Sequence, residues 1–357
     1  MKLFAPLTAI LVALALSGSA AASTTIGSLP ATSPIGSCNG CAVVQSTDSG
    51  PNIYTAPIRG VVTSFSVRSG TVLNSMDHYR LDVFTPVAAP NWTLGTASQY
   101  VYWPGTGAEF TNKPISWNTR VSILQGDHIG LDSRSFGGNT LYSYPTASAL
   151  DTMYGPNTPG FDVGSTSTAG MQFTNARANV QAVIEPDADL DGYGDETQDG
   201  CPADRAEHGP CTAPALSDFK FSLNKFAVNS KGKVLGATRA ASGTTIIETL
   251  SKAAHVTFVM NLKGTGRKVG KSCKKQTSKN RTRKKCTYYP KSFTFERDLP
   301  AGTSNLGFSG RIKVGSRTKT LPAGSYVATA YPFSIQSQLG GAIAKTTFKV
   351  VPATKHH

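Results

Sequence analysis

Short segments in which apolar and polar residues alternate, each closed by a turn, make up most of this chain. In one of them Tyr79, Leu81 and Val83 alternate with Arg80 and Asp82, and a period of two places the two sets on opposite faces of a β-strand. The 35 glycines and 21 prolines suit turns between short strands better than helices. Because a strand with one apolar face needs a facing sheet, the pattern predicts an all-β chain of packed sheets.

The pattern occurs in two regions, which predicts two domains. Residues 23–184 are predicted to form a jelly-roll-like β-sandwich, with apolar faces that include Val61, Phe65 and Val67, and later Val180, Ala182 and Ile184. In residues 215–357 the alternating residues are mostly aromatic: Phe219, Phe221 and Leu223, then Phe258, Met260 and Leu262, then Phe293 and Phe295. This second region predicts an Ig-like, or fibronectin-type, β-sandwich of roughly seven strands.

Residues 1–22 have the layout of a cleavable secretory signal peptide. Lys2 precedes an apolar stretch from Leu7 to Leu16, and small residues follow up to Ala22, after which we expect cleavage. The apolar stretch is about ten residues long, too short for a helix to cross a bilayer core of about 30 Å. We therefore expect a secreted, extracellular protein with no transmembrane segment after signal cleavage, and leave its association with the cell wall open.

Charge is distributed unevenly along the chain. Residues 1–214 carry 9 Lys/Arg and 17 Asp/Glu, a net charge of −8, whereas residues 215–357 carry 26 and 4, a net charge of +22. Regions of opposite charge attract different partners. For an exported protein, the polyanions that a basic surface meets include anionic wall polymers, glycans, acidic lipids and extracellular nucleic acid.

The basic charge is densest from Arg267 to Lys285, which holds ten Lys/Arg and no acid. A disulfide between Cys273 and Cys286 would close this segment into a hairpin and keep its charges close together. The candidate polyanion-binding residues are Lys274, Lys275, Arg283, Lys284 and Lys285. The alternative is a solvated loop, as runs of like charge often are. Because no aromatic residue interrupts the run, specific recognition of nucleic acid is not expected.

The six cysteines fall into three couples that are close in sequence. These are Cys38 with Cys41, Cys201 with Cys211, and Cys273 with Cys286. Six cysteines allow 15 pairings, but local pairing in an oxidising compartment is the simplest interpretation and predicts three short disulfide loops. For Cys38 and Cys41 a redox or zinc role is the alternative, although neither a βαβ context nor a second ligand pair is present.

An Asp-rich segment joins the two predicted domains, within residues 185–214. Asp187, Asp189 and Asp191 stand at alternate positions before Gly192, so that their carboxylates can converge on one hard cation. In the numbering of an EF-hand loop they occupy positions 1, 3 and 5, with the carbonyl of Tyr193 at position 7 and Asp195 at position 9. Position 12 holds Gln198, and the acid expected there follows one residue later as Asp199.

We expect this loop to bind Ca²⁺, because five carboxylates within thirteen residues repel one another unless a cation neutralises them. Magnesium is a poorer match since it demands octahedral geometry and keeps its waters. A solvated acidic linker is the alternative.

A run of the form D-x-D-x-D-G-x-x-D that ends in Cys201-Pro202 resembles a thrombospondin type 3 repeat. The resemblance covers about 16 residues and implies calcium binding by an Asp-rich loop without flanking helices. In that family's pattern the last acid precedes the cysteine by two residues, as Asp199 precedes Cys201 here. The whole layout resembles exported bacterial multidomain proteins in which such a repeat is followed by an Ig-like or fibronectin-like domain.

No catalytic motif was recognised, and we predict no enzyme activity. The six histidines include no HExxH pair, and no serine stands in a G-x-S-x-G elbow. The middle of the first domain is aromatic-rich, which fits either core packing or a platform for sugar rings. The residues concerned are Trp92, Tyr100, Tyr102, Trp103 and Trp117.

These features together predict an extracellular calcium-binding protein with a binding or structural role at or near the cell surface. In this hypothesis calcium stiffens the joint between the two sandwiches. The alternatives are an adhesion or carbohydrate-binding module and, less favoured, a hydrolase of unrecognised type, both in the first domain. A flat row of exposed aromatic rings would favour the former, and a cleft with a convergent histidine, acid and nucleophile the latter.

Overall fold

The computed structural model describes residues 22–31, 34, 36–38, 40–50, 53–70, 77–87, 91–105, 108–134, 140–156, 162–229, 243–314 and 317–352. Throughout these ranges the chain is all-β and contains no helix, which confirms the predicted fold class. The same ranges accordingly offer no long apolar helix of membrane-spanning length. The predicted signal peptide lies outside the described residues, apart from Ala22.

The chain divides into two compact units, Met1–Pro210 and Cys211–His357. The division falls inside the segment 185–214 that the sequence assigns to a linker.

The described residues of the first unit form fourteen strands. They are β1 (Thr24–Ser28), β2 (Gly36–Cys38), β3 (Cys41–Thr47), β4 (Gly60–Arg68), β5 (His78–Pro86), β6 (Asn91–Ala97), β7 (Val101–Tyr102), β8 (Pro114–Ile123), β9 (His128–Arg134), β10 (Thr140–Pro145), β11 (Thr152–Pro156), β12 (Thr166–Thr174), β13 (Ala176–Ala178) and β14 (Val180–Glu185).

Two large sheets pack face to face in this unit. One has the order β1-β14-β4-β8, and the other has the order β6-β12-β11-β3-β9-β5-β7. The second sheet curls until β5 also pairs with β6, so that six of its strands form a closed ring. A third sheet of three short strands has the order β13-β10-β2.

The main core lies between the two large sheets. It is built from the apolar faces of the central strands, including Phe65 and Val67 of β4, Tyr79, Leu81 and Val83 of β5, and Val180, Ala182 and Ile184 of β14. A second, smaller core fills the interior of the curled sheet with Ala42, Val44, Phe84, Trp92 and Leu94. In β4 the register shifts between Val62 and Ser64, so that Val62 and not Val61 joins Phe65 in the main core.

In the second unit, eleven strands lie within the part of the chain that the structure describes. They are β15 (Leu216–Phe221), β16 (Lys225–Ala227), β17 (Thr244–Leu250), β18 (Ala254–Val269), β19 (Ser272–Lys275), β20 (Lys285–Leu299), β21 (Gly302–Phe308), β22 (Arg311–Val314), β23 (Arg317–Thr320), β24 (Gly324–Phe333) and β25 (Ala344–Val351).

A three-stranded sheet of order β15-β17-β21 and a sheet of order β16-β25-β24-β18-β19, with β20 paired to β18, share one aromatic core. Phe219, Phe258, Phe308 and Phe348 are among its buried members. Leu223, which the sequence pattern places beside Phe219, is instead 55% exposed because β15 ends at Phe221. The strands exceed the seven expected because β16, β19, β22 and β23 are short additions at the edges of the sandwich.

Candidate functional site

The Asp-rich loop begins where β14 ends and is fastened to the first unit by Glu185. One carboxylate oxygen, Oε2, accepts hydrogen bonds from the backbone N–H groups of Glu196 (3.0 Å) and Thr197 (2.9 Å). The other, Oε1, accepts from the hydroxyls of Thr197 (2.6 Å) and Thr63 (3.0 Å). Burial alone would raise the pKa of Glu185, but these hydrogen bonds bring it below its ordinary value. Glu185 is therefore an ionised anchor between the loop and β4.

Gln198 fixes the far end of the loop to β8. Its Nε2 donates to the backbone carbonyl of Thr119 (2.7 Å), and its Oε1 accepts from the N–H of Gly194 (3.4 Å). A Cβ at Gly194 would lie 2.6 Å from both Glu185 Oε2 and Thr63 Cγ2, which only glycine avoids. Gln198 stands at the position where an acid was expected. Its hydrogen bonds to backbone groups hold the loop in place.

Three predicted ligands converge at the centre of the loop. Asp187, Asp189 and Asp191 each offer a carboxylate oxygen within 4.8 Å of the others. Asp187 also accepts the backbone N–H groups of Asp191 and Gly192, both at 3.0 Å. Gly192 supplies the tight turn with a φ of 88°. The backbone thus directs the three side chains towards one point, as the D-x-D-x-D-G spacing predicts.

Several carboxylate oxygens of the loop are buried without a hydrogen-bond partner among the described residues. They are both oxygens of Asp189 and Oδ2 of Asp199. The side chain of Asp191 is only 2% exposed. Burial, and next the charges of Asp191, Asp199 and Asp187, raise the pKa of Asp189. Buried carboxylate oxygens without a protein donor are costly, and a cation at this point would compensate them.

Asp195, the fourth predicted side-chain ligand, is close enough to the cluster to be affected by its charges but is not one of the three carboxylates that converge. Its two oxygens each accept the backbone N–H of Ala188 at 3.2 Å. Burial raises the pKa of Asp195 to about 6, and the carboxylates of Asp187, Asp189 and Asp199 contribute to the increase. The predicted role of the Tyr193 carbonyl as a ligand stays a prediction.

Asp199 occupies the place of the displaced acid. One of its oxygens accepts the N–H of Cys201 (2.7 Å), and the residue is 6% exposed. Asp199 also groups with Asp191 and His208, whose ligand atoms lie within 4.8 Å of one another. Compared with the family's spacing, the loop is one residue longer. Gln198 therefore points to β8, and the carboxylate of Asp199, one residue later, turns inward.

His208 was not predicted as part of this site. Its Nδ1 lies 2.6 Å from Asp191 Oδ2, and its ring stacks on that of Tyr193 at a centroid distance of 4.0 Å. The guanidinium of Arg120 in β8 lies 4.0 Å from the centre of the Tyr193 ring. These contacts join positions far apart in sequence, and no motif spacing connects them.

The donor set at the centre of the loop is made of carboxylate oxygens, which suits a hard cation such as calcium. A further acidic group contains Cys201, Asp204 and Glu207. Cys201 is disulfide-bonded, so it has no thiolate to offer a metal.

A second cluster of charged residues, not predicted from the sequence, lies on the inner face of the curled sheet. Asp82 and Asp132 are both 0% exposed. Arg80 bridges them, with Nε 2.7 Å from Asp82 Oδ1 and Nη2 3.3 Å from Asp132 Oδ2. The Tyr100 hydroxyl donates to Asp132 Oδ2 (2.6 Å), and Arg134 lies 3.3 Å from the same oxygen.

Burial raises the pKa of Asp82 to about 7, and the opposing charge of Arg80 limits the increase. The two carboxylates are matched by two guanidinium groups, which explains how a sheet interior accommodates them.

The aromatic residues of the first unit do not form a flat exposed row. Trp92 and Trp103 are 9% and 5% exposed, whereas Tyr102 is 56% exposed. Trp117 packs on Phe65 at a ring distance of 5.5 Å. Most of these rings therefore contribute to packing, as one of the two interpretations predicts.

The predicted basic hairpin is formed by β18, β19 and β20 of the second unit. A disulfide joins Cys273 to Cys286, with Cα atoms 6.0 Å apart. Lys274 and Lys285 lie on either side of Arg267 in the sheet. Of the other candidates, Lys275 lies opposite Gly266, while Arg283 and Lys284 lie in the connection between β19 and β20, and all five candidates are exposed.

Cys41, Cys201 and Cys211 are also disulfide-bonded. The side chain of Cys38, the predicted partner of Cys41, lies outside the described residues. The disulfides of this all-β chain fit an extracellular protein.

No protein-family model, no curated protein and no solved structure matches the chain.

Proposed function

We propose that this chain is an extracellular calcium-binding protein whose Asp-rich loop, residues 187–199, holds the ion. The observation that carries the proposal is the convergence of buried, unpartnered carboxylate oxygens from Asp189 and Asp199 beside Asp187 and Asp191. Such a set destabilises an ion-free loop and becomes favourable once a divalent cation neutralises it. The similarity to a thrombospondin type 3 repeat points to the same ion.

In this proposal calcium stabilises the first unit. Glu185 and Gln198 bind the loop to β4 and β8, so an ion that stiffens the loop also strengthens these attachments. Stiffening of the joint with the second unit stays a prediction.

The test is titration calorimetry on the metal-stripped mature chain. We expect one calcium site with a Kd of about 10⁻⁴–10⁻³ M, as is usual for extracellular modules, and weaker binding of magnesium. Asp191→Ala should abolish the heat. Glu196→Gln is the matched control, because Glu196 is an exposed acid of the same loop that accepts the backbone N–H of Ser23. Wild-type protein without calcium-dependent heat, or the same isotherm for Asp191→Ala, would refute the proposal.

A second function is favoured by the charge of the second unit. We propose that the basic hairpin, Arg267 to Lys285, binds an extracellular polyanion such as an anionic wall polymer or glycan. None of the ion pairs among the described residues involves a residue of this hairpin. The full mature chain should be retained on heparin at low salt. Replacing Lys274, Lys275, Arg283, Lys284 and Lys285 by Gln should remove most of that retention, and unchanged retention would refute a role for the hairpin.

A further inference from the structure

The hairpin is continuous with one face of the larger sheet of the second unit. In β18, Phe258 and Met260 point into the core, so Lys263 and Arg267, at odd positions, belong to the opposite, outer face. The pairing of β18 with β20 is irregular between Leu262 and Gly264, but the extra residue lies on β20. The alternation of β18 is therefore unbroken, and Lys263 shares a face with Arg267.

A row of lysines crosses this outer face at the sandwich end. Lys225 of β16 pairs with Lys349 of β25, and Lys349 pairs with Ser325 of β24. Together with Lys263, these residues line a surface cavity of about 330 Å³. Its other lining residues include Asn224 and Thr347 and no acid, so the charge of the cavity is wholly positive.

A second row crosses the same face on the hairpin. Arg267 has Lys274 on one side and Lys285 on the other. The disulfide lies over the opposite face of β18, where a Cβ at Gly266 would come within 2.7 Å of Cys273 Sγ. The glycine allows the disulfide to cross the strand closely, and the three cations lie at strand spacing on the other face. There the Arg267 guanidinium donates to Gln276 Oε1 (2.8 Å) and to the Arg283 carbonyl (2.9 Å), which fixes its position.

No acid of the second unit neutralises either row. Residues 215–357 contain only four acids. Asp218 lies 3.8 Å from Lys220, and Asp298 lies 2.7 Å from His255, which also has Glu296 at 3.6 Å. Glu248 is fully buried.

We propose that the two rows form one binding track for a linear polyanion that carries phosphate or sulfate groups. The basic track consists of Lys225, Lys349, Lys263, Arg267, Lys274 and Lys285. This inference rests on the proposed binding of polyanions by the hairpin and extends it onto the sandwich.

The dimensions of the basic track define the ligand. Lys263 and Arg267 are four residues apart on one strand, or about 13 Å, and the lysine row spans three strand spacings of about 4.8 Å each. A ligand that reaches from Lys225 at one end of the basic track to Lys285 at the other must therefore extend over more than about 20 Å, which selects a polymer over a small anion. Five of the six cations are lysines, which act as point charges and impose little geometry on an oxyanion. Between the rows β18 carries Thr265, and the adjacent β20 carries the exposed Tyr289.

The test measures binding of the full mature chain to long-chain inorganic polyphosphate and to triphosphate, with heparin as the sulfated arm. One variant removes the sandwich row (Lys225→Gln, Lys263→Gln, Lys349→Gln) and another the hairpin row (Arg267→Gln, Lys274→Gln, Lys285→Gln). The control removes the same charge elsewhere on the hairpin, at exposed or turn residues outside the five candidates (Lys268→Gln, Lys271→Gln, Lys279→Gln). Thermal melts verify that each variant is folded.

We expect each row variant to lose at least about tenfold in affinity for the long polyanion and to lower the slope of log K against log salt by about 2, since each lost contact removes about 0.7. The control should change affinity less than about twofold. Triphosphate should bind weakly to every variant. The polymer that binds more tightly, polyphosphate or heparin, shows whether the basic track prefers phosphate or sulfate groups.

The two proposals fail in different ways. If only the hairpin variant weakens binding, the hairpin function stands and the track is refuted. If neither row variant weakens binding, the track is refuted, and the five-residue hairpin variant then decides the hairpin function. Equal losses in all three variants would attribute the affinity to diffuse charge and overturn the track.

Discussion

The Asp-rich loop and the basic track are both concentrations of like charge, but they differ in the direction in which their side chains point. In the loop the carboxylates turn inward, and three of their oxygens are buried without a partner. In the track the cations stand on the outer face of a sheet, where water and salt can screen them. Buried carboxylates that point inward require a specific counterion at short range. Exposed cations that point outward need none and can bind different anions in turn. The same repulsion thus favours a single-ion site in one unit and an extended surface in the other.

The largest expected effect is a complete loss of calcium binding, and the same substitution measures how much the buried charges of the loop destabilise the ion-free protein. Asp189→Asn removes one of the buried charges, so it should abolish calcium binding and raise the melting temperature of the metal-stripped protein. In wild-type protein, calcium at about ten times its Kd should stabilise by about 1.4 kcal/mol, and Asp189→Asn should show no such gain. Melts with and without calcium, with Glu196→Gln as control, measure both effects. A lower melting temperature of metal-free Asp189→Asn would contradict this account of the loop.

Glu248 is a buried carboxylate without neighbours of like charge, in contrast to the clustered carboxylates of the Asp-rich loop. It points inward from β17 between Ile246 and Leu250, and neither of its oxygens has a hydrogen-bond partner. Burial raises the pKa of Glu248 to about 7. A lone carboxyl group can become neutral by taking up a proton, whereas a cluster of five is better neutralised by one cation.

The raised pKa gives stability a defined pH dependence. The folded state binds this proton more tightly than the unfolded chain, in which the pKa of Glu is about 4.3. The contribution of Glu248 is therefore most favourable below pH 4.3 and declines by roughly 4 kcal/mol as the pH rises through 7. Urea unfolding of wild type and Glu248→Gln at pH 5 and pH 8 should show that the variant lacks this loss. Glu296→Gln, at an exposed acid of the same unit, should retain it, and parallel pH profiles for all three proteins would disprove the assignment.

The outward charges should be the more sensitive to salt. If all six cations of the basic track contact the polyanion, a fourfold rise in salt should weaken its binding by roughly 10²-fold. The same change should weaken calcium binding by less than about tenfold, because buried charges are screened less. Titrations at two salt concentrations compare the two sites in one protein. Equal losses would show that the sites do not differ in burial as the structure indicates.

The sequence predicted which face of a strand each side chain belongs to, but not what that face packs against. Alternation in β5 correctly assigned Leu81 to the core and Asp82 to the other face, but that face is the interior of a curled sheet, and Asp82 is buried there. Closure of the ring depends on pairing between β5 and β6, which a local pattern does not encode.

The Asp-rich loop shows the same limit. The spacing of Asp187, Asp189 and Asp191 predicted their convergence, because a turn at Gly192 is a local property. The anchoring of Gln198 to Thr119 and the approach of His208 to Asp191 are contacts between distant segments. Residue type alone gives no indication of either.

The smallest expected effect concerns an acid of the loop that points outward. Glu196 Oε1 accepts a hydrogen bond from the backbone nitrogen of Ser23 at 2.6 Å. Cleavage after Ala22 would make that nitrogen the α-ammonium group of the mature chain, and the hydrogen bond would become an exposed ion pair. Exposed pairs stabilise by only a fraction of a kcal/mol, since water and salt compete with them.

We therefore expect Glu196→Gln to lower the melting temperature of the mature chain by less than about 2 °C and to leave its calcium isotherm unchanged. The decrease should disappear at high salt, because the pair is exposed. A calcium affinity weakened by this substitution would contradict the comparison, because it would place an outward-pointing carboxylate among the groups that hold the ion. The inward direction of the side chains would then no longer define the site, and the ligand set would have to include the exposed rim of the loop.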